Sequence, residues 1–150
     1  MSATRPSKKR VVYVAEPASV YAVPQPAVVD CSVLAALLWA EPAAKLARER
    51  IRHKALHAPV LLTYELANVA RSKCRAGVPL AAVREGLTAF AEQNIALHDD
   101  APDALFDLAV RLGLTAYDAA YVALAQALQA PLLTFDKKLA DAAMCLTGTP

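Results

Sequence analysis

Four carboxylates occupy places where a folded chain can gather them, although they lie far apart in sequence. Asp30 closes the apolar stretch AVVD, Glu65 follows PVLL, Asp118 stands three residues after Thr115, and Asp136 comes directly after PLLTF. Acids massed at one point repel one another, and their pKa values rise unless a cation neutralises them. Oxygen donors with no His or Cys among them select a hard divalent ion, Mg2+ or Mn2+. Such an ion lowers the pKa of a bound water, and a second ion nearby stabilises a leaving oxygen. Together they suit phosphodiester hydrolysis without a nucleophilic side chain. Each acid also has an ordinary reading, because Asp and Glu are favoured in first helical turns by capping and by the helix dipole. The segment from Thr115 to Asp118 has the spacing of a capping box. Asp136 and Asp30 could each cap the helix that follows. One acid alone is explained as well by a cap as by a metal; the shared position of all four favours the metal.

That position exists only if the chain lays down strands whose ends share an edge. Short apolar runs at 27–29, 59–62, 94–97 and 132–135 read as strands, with 145–147 as a fifth. Between them, apolar residues at helical spacing predict helices over 32–40, 43–56, 64–76, 79–92, about 105–112, 117–128 and 137–144. Gly77 and Gly113 stop two of these helices. Strands alternating with helices imply an α/β fold, a mainly parallel sheet of four or five strands covered on both faces. In such sheets the strand C-termini and the helix N-termini they feed lie on one edge, where ligands bind.

The 150 residues fit one domain, and a chain that is 57% hydrophobic and 20% charged is not disordered in the main. Residues 1–26 hold four of the ten prolines and read as an extension, with one strand expected at 11–15; residues 27–150 form the domain. Arg5, Lys8, Lys9 and Arg10 crowd the start, which leaves twelve basic against fourteen acidic residues in the rest. A pure nucleic-acid-binding module is usually more basic than that. Cys31, Cys74 and Cys145 are odd in number and unpaired in spacing, so they are expected to be reduced and mostly buried, in the cytoplasm. The apolar stretch 11–15 is too short for a signal peptide. The ten-residue run 31–40 falls well below the roughly 20 residues of a membrane span, and is expected to be a buried helix. Neither GxGxxG, a P-loop, GxSxG nor HExxH occurs. Asp30-Cys31-Ser32 lacks the second Asp of an aspartyl-phosphate phosphatase.

At the acidic residues the chain resembles a known family. VVDCSVLAALL resembles the opening of a PIN domain, a strand ending in Asp followed by x-Ser/Thr and an apolar helix. LLTYELANVA resembles its second motif, with Glu and an Asn three residues later. GLTAYDAAYVALAQALQAPLLTFDKKLADAA is similar, motif for motif, to the C-terminal half of VapC-type toxins. The resemblance covers about 27–144 and implies a three-layer α/β/α fold with an acidic pocket at the strand ends. It puts the family's acidic quartet on Asp30, Glu65, Asp118 and Asp136. It puts the quartet's polar support on Ser32 and Thr134, with Asn68 as a further candidate. It implies an endoribonuclease that needs Mg2+ or Mn2+, forms homodimers, and is inhibited by a small VapB-type antitoxin. DNA would be reached only through that antitoxin, and no membrane is involved. The 26-residue extension departs from the family, whose toxins mostly begin near the first strand. Two rival functions are an RNA-processing nuclease outside any toxin system and an inactive PIN-like module that binds a partner protein.

Other residues carry weaker signals. Lys45, Arg48, Arg50, Arg52 and Lys54 are expected on one helix, either contacting RNA phosphates or forming a solvated face; Arg71, Lys73 and Arg75 are alike. His53, His57 and His98 show no metal-ligand spacing. Trp39 is expected in the core or a dimer interface, and Tyr121 to pack rather than react. Glu41 is either an outer partner of the acidic site or a helix-start residue before Pro42.

Overall fold

A computed structural model describes residues 23–147, so the strand expected at 11–15 lies outside the described residues. The order is β1 (Gln25–Val29), α1 (Cys31–Leu38), α2 (Ala44–Ile51), β2 (Lys54–Pro59), α3 (Leu62–Arg75), α4 (Leu80–Ala91), β3 (Ile95–His98), α5 (Pro102–Leu112), α6 (Ala116–Ala127), β4 (Leu132–Leu133) and α7 (Lys137–Thr147). Four strands form one sheet in the order β3-β2-β1-β4, and every pairing is parallel. The α/β class expected from the sequence is therefore the one observed.

β1 lies between β2 and β4 and divides the core, because successive side chains of a strand point to opposite faces. Val28 packs with Leu108, Tyr121, Val122 and Leu139 from α5, α6 and α7. Val29 packs with Val33, Leu34, Leu62 and Leu66 from α1 and α3. Both valines are fully buried. The chain runs outward from β1 to β2 and β3, then returns to place β4 on the other side of β1. Strand order thus reverses between β1 and β4, and a crevice opens beyond the carboxyl ends of such neighbours.

Helix ends follow local chemistry. Gly113 ends α5 in the left-handed region at φ 63°, a conformation that costs glycine little. The amide of Leu114 then donates to Ala109 O at 3.0 Å. Gly86 of α4 is buried against the Trp39 indole, and a β-carbon there would collide with the ring. Trp39 Nε1 donates to Val83 O at 3.4 Å, and the Lys73 ammonium sits 5.3 Å from the ring centroid. Lys73 also pairs with Glu41 at 2.6 Å. The Glu41 side chain thus joins the end of α1 to α3, while its carbonyl accepts from the Ala44 amide at the start of α2 at 2.8 Å.

Three expectations are corrected. The second strand is Lys54–Pro59, not 59–62, and the helix expected over 43–56 stops at Ile51. His53 breaks that helix with a left-handed φ of 60°, and Lys54 then pairs with Gln25 as β2 begins. Arg52 and Lys54 consequently fall outside the basic helix, which keeps Lys45, Arg48 and Arg50. The fifth strand expected at 145–147 is the end of α7, whose helical hydrogen bonding runs through Thr147. The cysteines are free, but only Cys31 is buried; Cys74 and Cys145 are exposed. Of the run 31–40, residues 31–38 form the mostly buried helix α1, and Ala40 is exposed; among the described residues no single helix is long and apolar enough to cross a membrane.

Candidate active site

β1 delivers Asp30 to the crevice. Its amide donates to Leu133 O at 3.0 Å, so the residue continues the β1–β4 pairing by one position. The carboxylate is buried. It makes no capping hydrogen bond to α1. Instead Oδ2 accepts from Ser32 Oγ at 2.6 Å and from Thr134 Oγ1 at 2.8 Å. No described residue donates to Oδ1. The capping reading thus fails for Asp30. Both hydroxyls also brace the turn after β4: Ser32 Oγ accepts from the Phe135 amide at 3.0 Å, and Thr134 Oγ1 from the Asp136 amide at 2.9 Å.

Glu65 lies in the first turn of α3, its amide bonded to Leu61 O at 3.1 Å. Its Oε2 accepts from the Tyr121 hydroxyl at 2.5 Å. Partial burial pushes the carboxyl above the ordinary glutamic acid value; the Tyr121 hydroxyl opposes this, while Asp30 and Asp118 push it further upward. Glu65 therefore feels the charge of both Asp30 and Asp118. Tyr121 is buried, and burial together with its contact to Glu65 raises its own pKa, so it remains a neutral donor. Cys31 is pushed up to about 12 by burial and then by Glu65, Asp30 and Glu41, which makes it an uncharged thiol and a poor nucleophile.

Asp118 is half-buried in the first turn of α6. Thr115 Oγ1 accepts from its amide at 3.0 Å, one arm of the expected capping box. Its carboxylate takes no hydrogen bond from the described residues. Asp136 is exposed, and its Oδ1 caps α7 by accepting from the Leu139 amide at 3.1 Å. The bland reading holds for Asp136 as placed. Asn68 is exposed one turn beyond Glu65, and its carbonyl accepts from Ser72 Oγ.

The carboxylates are neighbours without forming a closed cage: among the described residues, no three of the Asp, Glu, His and Cys side chains are arranged to hold a metal ion. In kind, the donor set fits a hard divalent cation. It is all oxygen, Asp30 keeps one oxygen without a donor, Asp118 keeps both, and the local repulsion is what a cation would relieve.

Three contacts went unforeseen. Tyr121 was expected only to pack, yet its hydroxyl reaches Glu65. A polar tip on a buried aromatic generally finds a partner, but its spacing does not say which. Arg50, expected to meet RNA or solvent, donates to Thr134 O at 3.2 Å and lies 5.3 Å from the Phe135 ring centroid. His57 Nδ1 and His98 Nε2 lie 2.9 Å apart across the β2–β3 pair.

Asp30 thus stands where strand order reverses, a ligand-binding position in a parallel sheet, and the chain matches the PIN domain over residues 27–144. The protein belongs to the PIN-domain family. It is 37% identical over 120 residues to Ribonuclease VapC3 of Pyrobaculum aerophilum, covering 76% of this chain and 92% of that protein. It also resembles the crystal structure of PAE2754 from the same organism, with a TM-score of 0.64 at 30% identity, over 79% of this chain and 85% of that one.

Proposed function

We propose that this protein is a divalent-cation-dependent endoribonuclease acting as the toxin of a VapBC-type toxin–antitoxin pair. The observation that carries the reading is Asp30 at the β1–β4 reversal, with one oxygen held by Ser32 and Thr134 and its charge felt by Glu65. Membership of the PIN-domain family and the likeness to a protein named Ribonuclease VapC3 support RNA as the substrate. Mg2+ or Mn2+ would be held by Asp30, Glu65, Asp118 and Asp136, and when bound would supply an activated water and neutralise charge at the scissile phosphate.

The chain's own residues prepare that site. Ser32 and Thr134 fix the plane of the Asp30 carboxylate, so its second oxygen is presented without reorganisation. Tyr121 does the same for Glu65. The Asp118 and Asp136 carboxylates sit at helix starts, where amide dipoles offset part of their repulsion. A cognate VapB-type antitoxin and a second copy of the chain are the partners this reading expects.

The test is incubation of purified protein with total RNA in Mg2+, in Mn2+ and in EDTA, with the cut ends mapped. Discrete internal cuts that EDTA abolishes are expected; RNA left intact in both metals would overturn the reading. Growth arrest on expression, relieved by the neighbouring gene, separates a toxin from an RNA-processing nuclease.

A further inference from the structure

Beside the acidic site, a cavity of about 260 Å³ opens between the β2–α3 turn, the segment after β3 and the first turn of α6. Val60, Leu61, Leu105 and Tyr117 supply apolar and aromatic walls, and His98, Asp99 and Asp100 supply the polar ones. We propose that this cavity is a nucleobase pocket that seats an unpaired guanine of the RNA next to the cleavage site. The inference rests on the ribonuclease reading and names a feature of its substrate.

Size comes first. Pockets for drug-sized ligands run from about 300 Å³ upward, so this one suits a single flat ring system and not a whole nucleotide with its phosphate. Charge comes second. Asp99 and Asp100 line the cavity and Asp118 follows Tyr117 in the chain, so an anion is repelled and a neutral base is not. Shape comes third. Tyr117 lines the cavity and is 68% exposed, which leaves aromatic surface open to a planar partner. Unpaired RNA bases stack on such rings and are read on their edges.

The polar wall selects among the bases. A carboxylate accepts hydrogen bonds only, and guanine is the base that offers two adjacent N–H donors on its Watson–Crick edge. Adenine and cytosine offer one amino group each, and uracil a single ring N–H. Asp100 is half-buried, and this burial raises its pKa while His98 opposes the rise. His98 is held by His57 across β2 and β3, which fixes that side of the wall.

Location ties the pocket to the chemistry. Leu61 O accepts from the Glu65 amide, and Tyr117 immediately precedes Asp118. A base seated here lies next to the elements that carry Glu65 and Asp118. Because the base must leave any duplex to enter, the substrate is single-stranded at this point.

The experiment uses four short single-stranded oligoribonucleotides that differ at one position, G, A, C or U, and a fifth with inosine there, which lacks the 2-amino group. Binding is measured with wild-type protein in EDTA, and cleavage in Mg2+. The guanosine oligonucleotide is expected to bind about tenfold more tightly than the others, with inosine close to adenosine. Asp100→Asn and Tyr117→Ala should level the preference to within about twofold, while Tyr117→Phe keeps it. Equal binding of all five by wild type, or an unchanged preference in Asp100→Asn with native circular dichroism, would overturn the pocket. A binding preference for guanosine without cleavage would leave the pocket standing and sink the ribonuclease reading instead.

Discussion

The acidic site has an inner pair and an outer pair, and the protein treats them differently. Asp30 and Glu65 each have one oxygen fixed by hydroxyl groups: Ser32 and Thr134 on the first, Tyr121 on the second. Asp118 has no partner for its carboxylate among the described residues, and Asp136 spends one oxygen on the α7 cap. The inner pair sits where the β1–β4 reversal and α3 meet; the outer pair sits on the starts of α6 and α7. Positioning by side-chain hydroxyls is independent of any cation, and the outer carboxylates have no such hydroxyl donor among the described residues. The fold therefore fixes two of the four carboxylates with hydroxyl groups and leaves the other two without such support.

Breaking either half of the comparison should cost activity, but only the inner half is held by side-chain hydroxyls. Asp30→Asn is expected to slow RNA cleavage by about a thousand-fold or more, the scale of losing an essential group. The amide oxygen can still accept from Ser32 and Thr134, so the fold should persist by circular dichroism. Asp118→Asn should cost about a hundred-fold or more, with a melting temperature unchanged within about 2 °C, since its carboxylate makes no contact to lose. If Asp118→Asn cut RNA at the wild-type rate, the outer pair would have no part in catalysis.

Asp136 offers a sharper division, because capping and metal binding need different chemistry from the same side chain. Asparagine caps a helix about as well as aspartate, while alanine loses roughly 1 kcal/mol. Asp136→Asn should therefore keep the melting temperature and lower cleavage by about tenfold, whereas Asp136→Ala should lose both. Cleavage at the wild-type rate in Asp136→Asn would mark this residue as a cap alone and shrink the site to three acids.

Much of this division was legible in the sequence, and the illegible part has a physical cause. Gly77 and Gly113 ended their helices where expected, and Asp30 followed an apolar run short enough to be a strand. β2 was hidden because Lys54 and His57 interrupt its apolar pattern, while Leu46, Ala47 and Ile51 upstream suggest a helix that runs on. Only pairing with β1, from Gln25 with Lys54 to Val28 with His57, reveals the strand. His57 and His98 meet for the same reason, being 41 residues apart and joined by the β2–β3 register. Tyr121 reaches Glu65 from 56 residues away; helical spacing places it on the buried face of α6 and cannot say what its hydroxyl will find. Local periodicity thus identifies elements, whereas contacts between elements await their register.

The smallest expected effect probes how the inner pair is held. Tyr121→Phe removes one hydroxyl from a packed ring and leaves the volume almost unchanged. Glu65 then loses the only donor it has among the described residues, an influence that lowers its pKa against burial and against Asp30 and Asp118. Its pKa should rise further, so the acid limb of the pH–rate profile should move to higher pH, and cleavage at fixed pH should fall several-fold with a higher Mg2+ requirement. The stability signature has a definite sign. Because the folded-state pKa of Glu65 already lies above its ordinary value of 4.5, folding favours the protonated form. That stability is fully present below the ordinary value and is lost as pH rises through the folded one. Metal-free Tyr121→Phe should therefore lose more stability than wild type as pH rises through this window. Glu65→Gln, which cannot ionise, should lose less. Melting curves of the three proteins in EDTA across that window measure the difference, and identical pH dependence in all three would mean that Tyr121 packs beside Glu65 without governing its charge.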